Sequence, residues 1–118
     1  MKTIFIVDDE HTNRMMAKIA LDGAYKTFAL PSAAKMFKLA EKITPDLILL
    51  DLSMPEMDGF ETIKQLKCDE QLKSIPVIFL TATYDAESET RGLHAGAIDF
   101  IHKPFTLPAL IERIEAHI

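Results

Sequence analysis

Apolar residues in this chain come in two rhythms. Three short runs have no polar interruption: Ile4-Phe5-Ile6-Val7, Leu47-Ile48-Leu49-Leu50 and Val77-Ile78-Phe79-Leu80. Uninterrupted β-branched and leucine runs of this length predict strands buried on both faces. Residues 25–30 and 98–101 predict two further, less uniform strands. Between them the apolar positions recur at helical spacing. Met15, Met16, Ile19 and Ala20 mark a first helix closed by Gly23. Ala33, Met36, Phe37, Ala40 and Ile43 mark a second behind a candidate N-cap, Ser32, and Pro45 breaks it. Phe60, Ile63 and Leu66 mark a third. Residues 85–95 predict a fourth with few apolar positions, ended by Gly96. Thr106 caps a fifth whose buried face is expected to be Leu107, Leu110, Ile111, Ile114 and Ile118. Met15, Met16 and Met36 read as core filler.

Five strands alternating with five helices across short loops predict an α/β fold, a (βα)5 doubly wound five-stranded parallel sheet of the flavodoxin-like kind. Such sheets bind ligands outside the carboxyl ends of their strands. There the sequence places Asp8-Asp9-Glu10 after the first strand, Asp51 at the end of the third, Thr81 at the end of the fourth and Lys103 after the fifth. Adjacent strands lie roughly 5 Å apart, so these side chains can converge. Clustered carboxylates repel by about 1–4 kcal/mol per close pair near a surface. A hard divalent cation with oxygen ligands offsets that, and Lys103 adds a fixed positive charge. Any one of these aspartates alone would be read as a helix cap or a solvated strand end. An acid pair, a lone acid, a hydroxyl and a lysine on four strand ends are harder to explain separately.

Composition narrows the alternatives. At 118 residues the chain has the size of one domain, and 48% hydrophobic with 26% charged residues is an ordinary globular balance. A net charge of -5 argues against a nucleic-acid surface on this domain. The single cysteine, Cys68, makes an internal disulfide impossible and reads as a free thiol near a helix end. No apolar run is long enough for a signal segment or a membrane span, and the reading is a soluble cytoplasmic protein. His11 adjoins the acids, but magnesium prefers oxygen ligands, and His94, His102 and His117 have no metal-ligand spacing.

The motifs Val7-Asp8-Asp9-Glu10, Pro45-Asp46-Leu47-Ile48-Leu49-Leu50-Asp51, Met54-Pro55-Glu56-Met57-Asp58-Gly59, Thr81-Ala82 and Lys103-Pro104-Phe105 occur in this order. Together they resemble the receiver domain of two-component response regulators over the whole chain, residues 1–118. The resemblance implies a switch phosphorylated on Asp51 by a sensor histidine kinase or a phosphotransfer protein. It implies no turnover beyond the domain's own phosphorylation and dephosphorylation. It implies Mg2+, with Mn2+ as a substitute, held by Asp9, Asp51 and the backbone carbonyl of Ser53, with Asp8 acting through water or charge. Lys103 would pair with a phosphate oxygen, and the Lys103-Pro104 bond would be cis. Thr81 and Phe100 would be the switch positions, and Ser53 and Thr83 would shape water access to the acyl phosphate. The fourth helix, last strand and last helix would form the face for an output domain, a downstream protein or a phosphorylation-dependent dimer. The domain is expected to stand alone or to be the N-terminal part of a longer regulator.

Two rivals share the expected fold. A phosphatase of the haloacid-dehalogenase kind wants a second aspartate two residues after its nucleophile, where Ser53 stands. A flavodoxin-like flavin carrier wants a hydroxyl- and glycine-rich phosphate loop where Asp8-Asp9-Glu10 stands. A third reading is an interaction module on the same fold that needs no phosphate. The acidic motif argues against it.

Overall fold

A computed structural model describes residues 1–52, 54, 57–82 and 86–118. The strands are β1 (Thr3–Val7), β2 (Lys26–Leu30), β3 (Leu47–Asp51), β4 (Val77–Thr81) and β5 (Asp99–His102). The helices are α1 (His11–Leu21), α2 (Ala33–Ala40), α3 (Gly59–Cys68), α4 (Ala86–Ala95) and α5 (Leu107–Glu115). All pairings are parallel, in the order β2-β1-β3-β4-β5. The five expected strands and helices are all present, with boundaries shifted by one to three residues.

Two cores flank the sheet. On one side Ile4, Ile6, Leu47, Leu49, Ile78, Leu80 and Ile101 pack against Ala17 and Leu21 of α1 and Leu110 and Ile114 of α5. On the other, Phe5, Val7, Ile48, Leu50, Val77, Phe79 and Phe100 meet Met36 of α2 and Ile63 and Leu66 of α3. This is why the central strands carry no polar alternation. Burying one such side chain contributes about 1.5–3 kcal/mol.

Local chemistry sets the helix ends. Ser32 and Thr106 accept hydrogen bonds from the backbone N–H of Lys35 and Ala109, as their capping role predicts. Asp58 does the same for Glu61 at the start of α3. Gly23 and Gly96 have φ of 97° and 115°, the left-handed region that glycine alone enters without strain.

Two expectations about buried faces fail, and one helix ends earlier than expected. Met16 is exposed and Ile19 is 72% exposed, while Ala17 and Leu21 are buried. The sheet-facing stripe of α1 is turned so that a small residue allows close approach to the strands. Leu107, the first residue of α5, is 45% exposed. Ile43 lies beyond the end of α2, though it still packs against the core.

Candidate functional site

The chain leaves β1, winds through α1 to β2 on one side, and returns to the other side at β3. The carboxyl ends of β1 and β3 therefore border the point where the strand order reverses. Open parallel sheets form their binding crevice there. Asp51 is the last residue of β3 and is 5% exposed. Asp8 follows β1 and is fully buried, and Asp9 beside it is exposed. One carboxylate oxygen from each of the three lies within 4.8 Å of the others. Among the described residues this is the group of acids, histidines and cysteines able to share an ion.

Each acid is held differently. Asp8 has both carboxylate oxygens engaged. Oδ1 accepts the Glu10 backbone N–H at 2.9 Å, and Oδ2 accepts the Lys103 ammonium at 2.8 Å. The Arg14 guanidinium donates to the Asp8 carbonyl at 2.8 Å and fixes the turn into α1. Lys103 also donates to Asp51 Oδ1 at 3.2 Å. The lysine thus bridges two buried acids, while Asp9 has the solvent-facing side.

The electrostatics follow from this packing. Burial, then the charge of Asp8, push the Asp51 carboxyl up from 3.8 to about 7, against the opposing pull of Lys103. Burial alone would lower the Lys103 ammonium, but its hydrogen bond to Asp8 and the charges of Asp51 and Asp8 outweigh that and raise it. The pocket is short of positive charge by its own construction. Three carboxylates with an exposed opening suit a hard divalent cation, which takes carboxylate and water oxygens. The donor set therefore fits a divalent-cation site.

Thr81, the last residue of β4, is buried, and its carbonyl accepts the Lys103 backbone N–H at 2.7 Å. That bond sets the lysine beside the third and fourth strands. The Lys103-Pro104 peptide is cis. Phe100 is 5% exposed in β5, with its ring centroid 5.4 Å from that of Phe79. Ser53 and Thr83 lie outside the described residues, so the expected carbonyl ligand and the two access positions have no structural account. His11 is exposed, and its Nδ1 faces an Arg14 guanidinium nitrogen at 3.2 Å.

Two contributors, Arg14 and Gly92, were not singled out in the sequence, and a third, Gly59, was named there only as the end of a loop motif. Arg14 grips a backbone carbonyl six residues away and carried no motif. A Cβ on Gly59 would sit 2.8 Å from the Asp51 carbonyl oxygen and 2.7 Å from the Phe79 ring, so close backbone approach demands glycine directly behind the acid. Gly92 lies inside α4, where glycine is costly, and that cost was the available signal.

Comparison with known proteins agrees with this geometry. The response regulator receiver domain family model matches residues 4–115. A probable cyclic di-GMP phosphodiesterase of Vibrio cholerae is 38% identical over 98% of this chain, which spans 26% of that protein's length. The chemotaxis protein CheY4 of Vibrio cholerae superposes with a TM-score of 0.95 at 28% identity, covering 100% of this chain and 99% of that one. The receiver domain of a Pseudomonas aeruginosa sensor histidine kinase, solved with magnesium coordinated in its active-site cleft, gives 0.88 at 25% identity. It covers 98% of this chain and 96% of that one.

Proposed function

Since the chain belongs to the response regulator receiver domain family and is a phosphorylation-activated switch, we propose that Asp51 is its phosphoryl acceptor and Mg2+ its cofactor. One observation carries the reading. A buried carboxylate at a strand end has two further acids within ion-sharing distance and a lysine 3.2 Å away. A carboxylate is a weak nucleophile towards an anionic phosphoryl group, and the surrounding charges set how well the two can approach. In the transfer, the phosphorus–nitrogen bond of a phosphohistidine breaks and a bond from phosphorus to an Asp51 carboxylate oxygen forms. The electron pair of the broken bond stays on the imidazole nitrogen.

Asp9, Asp51 and the backbone carbonyl of Ser53 would hold the cation, and Asp8 would act through its charge and through water. Both Asp8 oxygens already accept hydrogen bonds, which supports that secondary role. When bound, the cation neutralises the acids and the incoming phosphoryl oxygens. Mn2+ substitutes for it, since the ligands are hard oxygens. Lys103 pairs with a phosphoryl oxygen, exchanging its present contact with Asp51. Thr81 turns its hydroxyl to another oxygen, and Phe100 follows as the second switch position. Positioning and charge neutralisation are what phosphoryl transfer chiefly requires.

The donor is a sensor histidine kinase or a phosphotransfer protein in the cytoplasm. No helix among the described residues is long and apolar enough to cross a membrane. Residues 1–118 form one receiver domain that acts on a downstream output domain or protein. The face made by α4, β5 and α5 carries that output, including a phosphorylation-dependent dimer. The test is labelling by acetyl phosphate with and without Mg2+, in wild type and in Asp51→Asn. Magnesium-dependent labelling lost in the variant is expected. Labelling that persists in Asp51→Asn would refute the assignment.

A further inference from the structure

Helix α4 touches the body of the domain in an unusual way. Among the described residues, Gly92 is its one buried position. A Cβ there would stand 2.4 Å from Cζ of Phe100, 3.0 Å from its Cε2 and 3.1 Å from Cδ2 of Phe79. The helix therefore rests on an aromatic layer through a residue with no side chain. The layer extends beyond that point. Phe79 also packs edge-on to Phe60 at 5.7 Å, and the Arg91 guanidinium lies 4.0 Å from the Phe60 ring centroid. At its other end Phe79 fills the space that a Cβ on Gly59 would need, directly behind the Asp51 carbonyl. Two glycines thus seat one aromatic stack between the acceptor strand and α4.

Glycine inside a helix loses more backbone freedom on folding than alanine does, so its presence at position 92 needs a reason. Space for the Phe100 ring supplies one. We infer that Gly92 is a positioning residue for the switch: its bare backbone forms the seat that lets Phe100 lie buried beneath α4. The inference rests on the reading of Thr81 and Phe100 as switch positions and adds the residue that makes the inward ring sterically possible. With alanine at position 92 the ring must leave the seat or α4 must lift from the sheet. Phe79 blocks retreat in the other direction, because its ring centroid is only 5.4 Å from that of Phe100. The buried ring and a close α4 then become mutually exclusive.

The test pairs stability with binding of beryllofluoride, a phosphoryl mimic, in the presence of Mg2+. Helix propensity alone makes Gly92→Ala raise the melting temperature by several degrees. The seat predicts the opposite sign: Gly92→Ala melts lower than wild type, and Gly92→Ala in a Phe100→Ala background melts higher than Phe100→Ala. Beryllofluoride affinity should fall about tenfold in Gly92→Ala, a 1.4 kcal/mol effect, with Mg2+ affinity unchanged. In the Phe100→Ala background, adding Gly92→Ala should cost nothing more. If Gly92→Ala alone fails to fold while the double variant folds, the clash lies at the ring and the seat stands. A higher melting temperature for Gly92→Ala, or unaltered beryllofluoride affinity, overturns the inference. Failure of the wild type to bind beryllofluoride would instead sink the acceptor assignment, leaving the sign reversal in stability to be read separately.

Discussion

Neutralising Asp51 should stabilise the metal-free domain, and by an amount that depends on pH. The folded protein holds the Asp51 proton up to about pH 7, against 3.8 for an ordinary aspartate. A carboxyl whose folded value is raised binds its proton more tightly in the folded state. Stability is therefore greatest below the unfolded value, falls as pH rises from about 4, and levels off above about 7. A difference of roughly three pH units corresponds to about 4 kcal/mol at most. Asparagine keeps the shape and removes the charge, but it also takes one anionic partner from Lys103, which retains Asp8 at 2.8 Å. That loss is already contained in the net rise to about 7, and allowing about half for relaxation and water penetration around the buried charge leaves roughly 2 kcal/mol in favour of Asp51→Asn at pH 8. For a domain of this size that is a rise of about 8–10 °C in melting temperature. Thermal denaturation by circular dichroism, in chelator at pH 8 and again near pH 4.5, measures it. The gain should be present at pH 8 and cut to about a quarter at the lower pH, where an unfolded aspartate is still mostly ionised. Saturating Mg2+ should narrow the gap at pH 8 by stabilising only the wild type. An Asp51→Asn protein no more stable than wild type at pH 8, or one equally stabilised at both pH values, would refute the charge-repulsion account.

Other outcomes follow from the same contacts. Mg2+ affinity should increase as pH rises from 6 to 8, because the cation displaces the Asp51 proton; titration calorimetry in buffers of different ionisation enthalpy should find about half a proton released at pH 7. Pistoning out that linkage would take a binding curve independent of pH across this range. Lys103→Met should destabilise the metal-free domain by about 2–4 kcal/mol in urea denaturation, since two buried acids lose their shared cation; a change below about 0.5 kcal/mol would contradict the bridging role. Asp99 accepts hydrogen bonds from Arg113 and faces His117 at 3.0 Å. Burial pushes its carboxyl up, but bonds from His117, the Phe100 backbone and Arg113 prevail and hold it below 3.8. Its stabilisation is therefore present above about pH 4 and lost as pH falls below that value. Asp99→Asn should cost up to about 1 kcal/mol at pH 7 and progressively less as the pH is lowered through the acid range, and a deficit that stays constant there would exclude the ion pair as its origin.

The sequence made the sheet and most of the pocket legible because both depend on short-range signals. Runs such as Leu47 to Leu50 admit only a doubly buried strand, and the residue ending such a run in a parallel sheet must lie on the binding rim. Asp51 and Thr81 were located that way, and Lys103 as a residue just after the less uniform fifth strand. The division of labour between Asp8 and Asp9 came from the family resemblance, and the structure adds the hydrogen bonds that occupy both Asp8 oxygens. What was not legible depends on distance in three dimensions. The apolar positions of α1 fit more than one stripe, and only the approach of the sheet selects Ala17 and Leu21 over Met16 and Ile19. The Asp99 cluster joins residues 14 and 18 apart across two elements and follows no periodicity. Gly92 was visible as a helix-breaking residue in a helical stretch, but its purpose required knowing which ring lay beneath it.

The bridge from Lys103 to Asp8 spans 95 residues, nearly the whole chain. Its consequence concerns synthesis as much as signalling. A nascent chain that has emerged only through β4 already contains Asp8, Asp9 and Asp51, but its lysine is still to come. Until the residues after β5 arrive, bringing these acids together costs repulsion with no internal cation to offset it. The acidic pocket is thus among the last parts of the domain to become favourable. Competence to receive a phosphoryl group therefore reports that the chain has folded from its first strand to its last.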